Sequence, residues 1–162
     1  MKSLQKILIV AANYYPKVTS KLVESAKNII EEKSANLKIS KIIVVPGVFE
    51  IPVIISQNIN KFDAFIALGC VIKGKTPHFD LISQAVTKAI MDLSIKYKKP
   101  IGNGIITSLN MKQAVDRADP KKKNKGGEAA EAVISVIDLI WKILNKDKRW
   151  IKMKHDKIPE LL

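Results

Sequence analysis

The chain is poor in several residues that usually carry chemistry. It has one cysteine, Cys70, among 162 residues, which excludes an internal disulfide framework and fits a reducing cytoplasm. Its only histidines are His78 and His155. One cysteine and two distant histidines make no metal-ligand cluster at any spacing a metal site uses. No apolar run approaches a membrane span; the N-terminal ILIVAA is too short for the apolar region of a signal peptide and reads as a buried first strand. Internal repeats, low-complexity tracts and linkers are also lacking, so the length predicts one domain, residues 1–162.

Acidic residues are scarce beside basic ones, 15 against 28, a net charge of +13. Much of the excess lies in DPKKKNKGG (119–127) and in KDKRWIKMKHDK (146–157), the latter read as a basic C-terminal extension from about residue 146. Such charge draws anionic substrates or nucleic acid. A solvated surface is the plainer reading of the tail, and no nucleic-acid-binding motif accompanies it.

What is abundant is Ile and Val in short runs. KILIVAA (6–12), KIIVVPG (41–47), DAFIALG (63–69) and IGNGIIT (101–107) read as strands. Their nearly unbroken apolar character predicts parallel strands covered on both faces. Residues 17–33 and 79–98 have helical periodicity, 49–60 suits a shorter helix, and a last helix is expected from about 127 to 144. The final helix is apolar around most of its circumference, which predicts a subunit interface as well as a core contact. The alternation gives a three-layer α/β/α sandwich on a four-stranded parallel sheet with flavodoxin-like winding. Ligands bind such sheets beyond the strands' carboxyl ends, here Ala12–Tyr15, Pro46–Glu50, Gly69–His78 and Thr107–Asn110.

Within the third of these stretches, GCVIKGKTPHFD (69–80) matches the nucleotide-binding pattern G-x-x-x-x-G-K-[ST] at Gly69, Gly74, Lys75 and Thr76. Three points count against a nucleotide. Val71 and Ile72 are β-branched and ill suited to a tight amide-lined nest. Pro77 turns Thr76 away from helical geometry. No strand ends in an aspartate to help hold Mg²⁺. The alternative is a simpler anion site: a helix starting near Pro77 points free amides at a phosphate, with His78 beside it to move protons.

Three blocks then take on a pattern together. VPGVFEIP (45–52), LGCVIKGKTPHFD (68–80) and QAVDRADPKKKNKGGEAA (113–130), collinear from about Lys6 to Leu144, resemble the lumazine synthase family of riboflavin biosynthesis. The resemblance implies a condensation of 5-amino-6-(D-ribitylamino)uracil with (S)-3,4-dihydroxy-2-butanone 4-phosphate. The products are 6,7-dimethyl-8-ribityllumazine, phosphate and water, and no cofactor or metal is required. It implies a cytoplasmic homo-oligomer built from pentamers, with active sites between neighbouring subunits and no membrane or nucleic-acid partner.

By the same resemblance, His78 is the catalytic proton-transfer residue. Lys75 and Thr76 belong to the phosphate loop, and Arg117 of a neighbouring subunit clamps the phosphate. Tyr14 stacks on the uracil. Val48, Phe49 and Glu50 hold the uracil and ribityl chain, while Cys70, Val71 and Ile72 offer backbone along the ring edge. Asn103 stands where a neighbour often contributes Phe to the pocket. Lys125 and Glu128 are similar to polar residues near the phosphate.

Bland readings accompany these. Phe49, followed by apolar Ile51 and Val53, reads more as core than as ligand contact, and Asp116 with Arg117 reads as a surface ion pair. Departures from the family pattern at Asn13, Tyr15, Gln84, Ala85 and Asn103 bear on substrate affinity. Two other functions compete: an archaeal-type riboflavin synthase, which handles no phosphate, and a basic nucleic-acid-binding α/β module.

Overall fold

The computed structural model describes residues 4–155, with side chains to residue 146. Four strands, β1 (Gln5–Ala12), β2 (Leu37–Val45), β3 (Ala64–Ile72) and β4 (Ile101–Ser108), form a parallel sheet in the order β2-β1-β3-β4. Helices α1 (Pro16–Lys33), α4 (Met111–Ala118) and α5 (Lys125–His155) cover one face; α2 (Ile51–Asn58) and α3 (His78–Tyr97) cover the other. This is the expected three-layer sandwich with flavodoxin-like winding.

The two central strands explain the unbroken apolar runs. Along β1, Ile7, Ile9 and Ala11 pack toward α1 and α5, while Leu8, Val10 and Ala12 pack toward α2 and α3. Each fully buried Ile or Leu contributes roughly 1.5–3 kcal/mol relative to exposure. The edge strands differ. In β2 only Leu37 and Val45 are buried, and β4 buries alternate residues. β2 also starts four residues earlier than its apolar run suggests: LKIS carries polar residues because an edge strand faces water, and exposed Lys38 and Lys41 discourage further pairing there.

Pro16 opens α1, and Val18, Leu22, Ala26 and Ile30 recur at every fourth position on its buried side. The Thr19 hydroxyl donates to the Ala12 carbonyl at 2.6 Å, tying the helix to the end of β1. Asn124, at φ 45°, opens α5, its side-chain oxygen accepting the Gly127 amide at 3.3 Å. The helix then passes so close to α1 that a Cβ on Gly126 would lie 2.2 Å from the Leu22 carbonyl oxygen.

Several expected boundaries shift. The short helix divides into a 3₁₀ turn, Val48–Glu50, and α2. Helix α5 begins at Lys125 and runs on to His155, so the backbone of the basic stretch continues the helix from residue 146 to 155. Among the described side chains of α5, the last buried one is Ile137; Leu139, Ile143 and Leu144 are exposed.

Candidate active site

The sheet winds outward in opposite directions from β1 and β3, and beyond the carboxyl ends of β1, β2 and β3 a cleft of about 540 Å³ opens. Its wall is drawn from three chain stretches: Tyr14 and Tyr15 after β1, Pro46 to Glu50 after β2, and Cys70 to Ile82 along β3 and into α3. The fourth stretch, Thr107–Asn110, has a different job. Asn110 accepts the Gln113 amide at 2.9 Å and Gln113 accepts the Leu109 amide at 2.9 Å, so this segment caps α4.

The structure removes the nucleotide reading of Gly69–Thr76. β3 continues through Ile72, with Cys70, Val71 and Ile72 paired to Ile106, Thr107 and Ser108 of β4. Four of the residues that would wrap phosphates are therefore extended strand. Gly69 serves packing: a Cβ there would lie 2.7 Å from Val48 Cγ1 and 3.0 Å from the Ala12 Cβ. The missing side chain lets the Val48–Glu50 turn sit against the sheet at the rim of the cleft.

That turn is held from within. The Gly47 amide donates to Glu50 Oε2 at 2.9 Å, a reciprocal arrangement with the Glu50 amide donating to the Gly47 carbonyl at 3.4 Å. Phe49, between them, is 63% exposed and borders the cleft. The core reading of Phe49 is thus corrected: Val48 and Ile51 turn inward, and the tight turn throws the ring between them outward. Tyr14 is 70% exposed, its ring edge-to-face with that of Tyr15, centroids 4.9 Å apart.

Helix α3 starts at His78 with Pro77 as its N-cap, and the Leu81 amide donates to the Pro77 carbonyl at 3.2 Å. The amides of His78, Phe79 and Asp80 precede that first helical bond and lie at the positive end of the helix, just after the loop Gly74–Thr76. His78 is exposed at the mouth of this arrangement, and Ile82, four residues on, shares its helix face. A helix start of this kind suits an anion, and the exposed Tyr14 and Phe49 rings offer π-faces to an aromatic ligand.

Burial pushes the Cys70 thiol up to about 11. Cys70 is thus a neutral wall residue at ordinary pH, with no nucleophilic thiolate. Burial also raises the Tyr15 phenol, with Tyr14 and Cys70 adding to the effect.

Of the residues named from sequence, Tyr14, Val48, Phe49, Glu50, Cys70, Val71, Ile72, Thr76 and His78 line this one cleft. Lys75 is exposed in the same loop, between two lining residues. Asn103 and Arg117 lie elsewhere. Asn103 is on the exposed face of β4, its side-chain oxygen accepting the Ile105 amide at 3.1 Å. Arg117 is exposed on α4. The ion pair expected of Asp116 and Arg117 is not formed. Asp116 instead pairs with Lys122 at 2.5 Å, which holds its carboxyl below the usual range. Lys125 and Glu128 pair with each other at 2.5 Å.

Sequence reasoning placed Tyr15 and Gly47 within the strand-end stretches without giving either a role, and it did not name Phe79 and Ile82 as lining residues. The helical spacing from His78 pointed to Ile82, and Tyr15 stood out only as a departure from the family pattern. Among the described residues no group of three or more His, Cys, Asp or Glu comes together, and no helix is long and apolar enough to cross a membrane.

The chain is similar to known proteins along most of its length. Residues 5–140 match the family model described as 6,7-dimethyl-8-ribityllumazine synthase. Curated proteins of that name are similar over most of their length. The one from Aliarcobacter butzleri is 38% identical over 141 residues, covering 86% of this chain and 90% of its own. Those from Bartonella tribocorum and Zymomonas mobilis are each 41% identical, covering 86% and 84% of this chain and 94% and 96% of their own. The chain belongs to the 6,7-dimethyl-8-ribityllumazine synthase family.

Proposed function

We infer that this chain is the enzyme that condenses 5-amino-6-(D-ribitylamino)uracil with (S)-3,4-dihydroxy-2-butanone 4-phosphate. It forms 6,7-dimethyl-8-ribityllumazine in riboflavin biosynthesis and releases phosphate and water. The observation that carries the reading is one cleft joining an aromatic ring, a carboxylate turn and a histidine-bearing helix start.

Each residue has a part in this reading. Tyr14 stacks on the uracil, since stacking needs only a π-face. Val48 and Phe49 border the ring and ribityl chain, and Glu50 accepts a ribityl hydroxyl with the oxygen not engaged by Gly47. Backbone at Cys70, Val71 and Ile72 meets the ring edge. The butanone phosphate lies at the start of α3, on the amides near Lys75 and Thr76. There the uracil's amine attacks the ketone carbonyl. His78 takes up the proton released by the amine and returns one as water departs, leaving a Schiff base. Phosphate then leaves and the ring closes.

Arg117 and Asn103 have no place in the cleft of their own chain. Their assignment is to the cleft of the next subunit in a ring of five, where Arg117 grips the phosphate through paired, charge-assisted hydrogen bonds. Exposed apolar side chains on α3 (Leu81, Met91, Ile95) and α5 (Val136, Leu139, Ile143) support a closed assembly. The site of action we propose is the cytoplasm, whose reducing conditions suit a chain with one free, buried cysteine.

The test is incubation of the purified protein with both substrates. Lumazine absorbance and fluorescence should rise in step with inorganic phosphate. Turnover of lumazine alone to riboflavin, with no phosphate released, would favour the riboflavin synthase reading. Salt-sensitive nucleic-acid binding without lumazine would favour the binding-module reading.

A further inference from the structure

Tyr14 and Tyr15 are neighbours in sequence but live in different surroundings. Tyr14 is largely exposed at the cleft. Tyr15 borders the same cleft but is half-buried, packed against the core cluster that β1, β3, α1, α4 and α5 build. Its carbonyl accepts the Val18 and Thr19 amides, both at 3.0 Å, so its backbone is fixed by the first turn of α1. The two rings meet at 4.9 Å with planes 70° apart, the edge-to-face arrangement that aromatic quadrupoles prefer. One ring is thus anchored in the core, and the other leans on it.

An exposed tyrosine on a strand-to-helix turn has several side-chain rotamers open to it, and fixing one on binding costs affinity. An anchored neighbour that favours one rotamer in advance reduces that cost. We propose that Tyr15 is a positioning residue that holds the Tyr14 ring at the angle at which it stacks on the uracil. This rests on the assignment of Tyr14 as the stacking ring. Tyr15 acts through Tyr14, so its effect belongs to uracil affinity and to neither the phosphate substrate nor the chemical step.

A double-mutant cycle read through steady-state kinetics tests it. Tyr15→Ala should raise KM for the uracil about 2- to 12-fold, the range of one edge-to-face aromatic pair. The kcat and the KM for the butanone phosphate should stay within about twofold. Tyr15→Phe, which keeps the ring edge, should match the parent. Tyr15→Leu, which fills the buried side without an aromatic edge, should repeat the alanine result even if the alanine variant folds poorly. In a Tyr14→Ala background, Tyr15→Ala should add nothing further. An unchanged uracil KM in Tyr15→Ala and Tyr15→Leu would overturn the proposal, as would an equal added penalty in the Tyr14→Ala background. If Tyr14→Ala itself leaves uracil KM unchanged, the stacking assignment fails first and the proposal falls with it.

Discussion

Glu50 closes on the amide of Gly47 at 2.9 Å, so the carboxylate that borders the cleft also holds the turn that presents it. Two substitutions separate these duties. Glu50→Ala removes both and should lower unfolding free energy by about 0.5–2 kcal/mol, the usual cost of a lost cap. Glu50→Gln keeps an acceptor oxygen, so its denaturation midpoint should stay near that of the parent. Uracil KM should still rise several-fold in Glu50→Gln, because a ribityl hydroxyl bonds a carboxylate more strongly than an amide. Unchanged KM in Glu50→Gln would reduce Glu50 to a structural cap.

Gly69 should tolerate no side chain. Its Cβ would press on Val48 and on Ala12, both in the core, and neither neighbour is a flexible chain end. Gly69→Ala should destabilise the protein by about 1–3 kcal/mol in chemical denaturation, the cost of inserting a methyl into a packed core. The Val48–Glu50 turn should also shift, raising uracil KM. A variant as stable and active as the parent would contradict the packing role.

Cys70 gives a pH prediction. The folded chain keeps the thiol proton to about pH 11, while the unfolded chain releases it near the ordinary cysteine value, roughly 8.5. Between these values the native state binds the extra proton, so its contribution is fully present below pH ~8.5 and is lost as pH rises toward 11. Stability should fall across that window by at most about 1.4 kcal/mol per pH unit from this group. Cys70→Ala should lack that component when the two pH profiles are subtracted. The native thiol should also react slowly with a disulfide reagent at pH 8 and rapidly after unfolding. Fast native reaction would refute the burial.

Much of this organisation was legible in the sequence, for identifiable reasons. The central strands declared themselves because both faces of β1 and β3 are buried, leaving unbroken runs such as ILIVAA. β2 was half hidden because an edge strand carries Lys38, Ser40 and Lys41 on exposed positions. The nucleotide pattern was set aside from the sequence on its β-branched residues and Pro77, and pairing with β4, which carries β3 through Ile72, agrees. Phe49 misled because its apolar neighbours signal a core, whereas a three-residue turn sends adjacent side chains in different directions. Tyr15 was legible only as a departure bearing on substrate affinity, because its ring contact with Tyr14 is not specified by spacing.

His78 and Arg117 should fail in different ways. His78→Ala should leave a folded protein with kcat reduced roughly 10- to 10²-fold, the lower part of the range for a lost proton-transfer group. The modest loss is expected because an amine can attack a ketone unaided. If Arg117 holds the phosphate as proposed, Arg117→Ala should lower kcat/KM for the butanone phosphate roughly 30- to 10³-fold while changing uracil affinity only a few-fold. Inorganic phosphate should compete with the ketone in the parent and lose most of that effect in Arg117→Ala. Equal losses for both substrates would make Arg117 an interface residue.

The central claim is that each active site is built from two chains, His78 from one and Arg117 from the next. It is tested by unfolding His78→Ala and Arg117→Ala proteins together, refolding them as mixed rings and measuring lumazine formation. In a head-to-tail ring assembled at random from equal parts, about one site in four joins an intact His78 to an intact Arg117. The account predicts that the mixture recovers about a quarter of parent turnover, above either variant refolded alone. A mixture no more active than the mean of the two separate variants would contradict it.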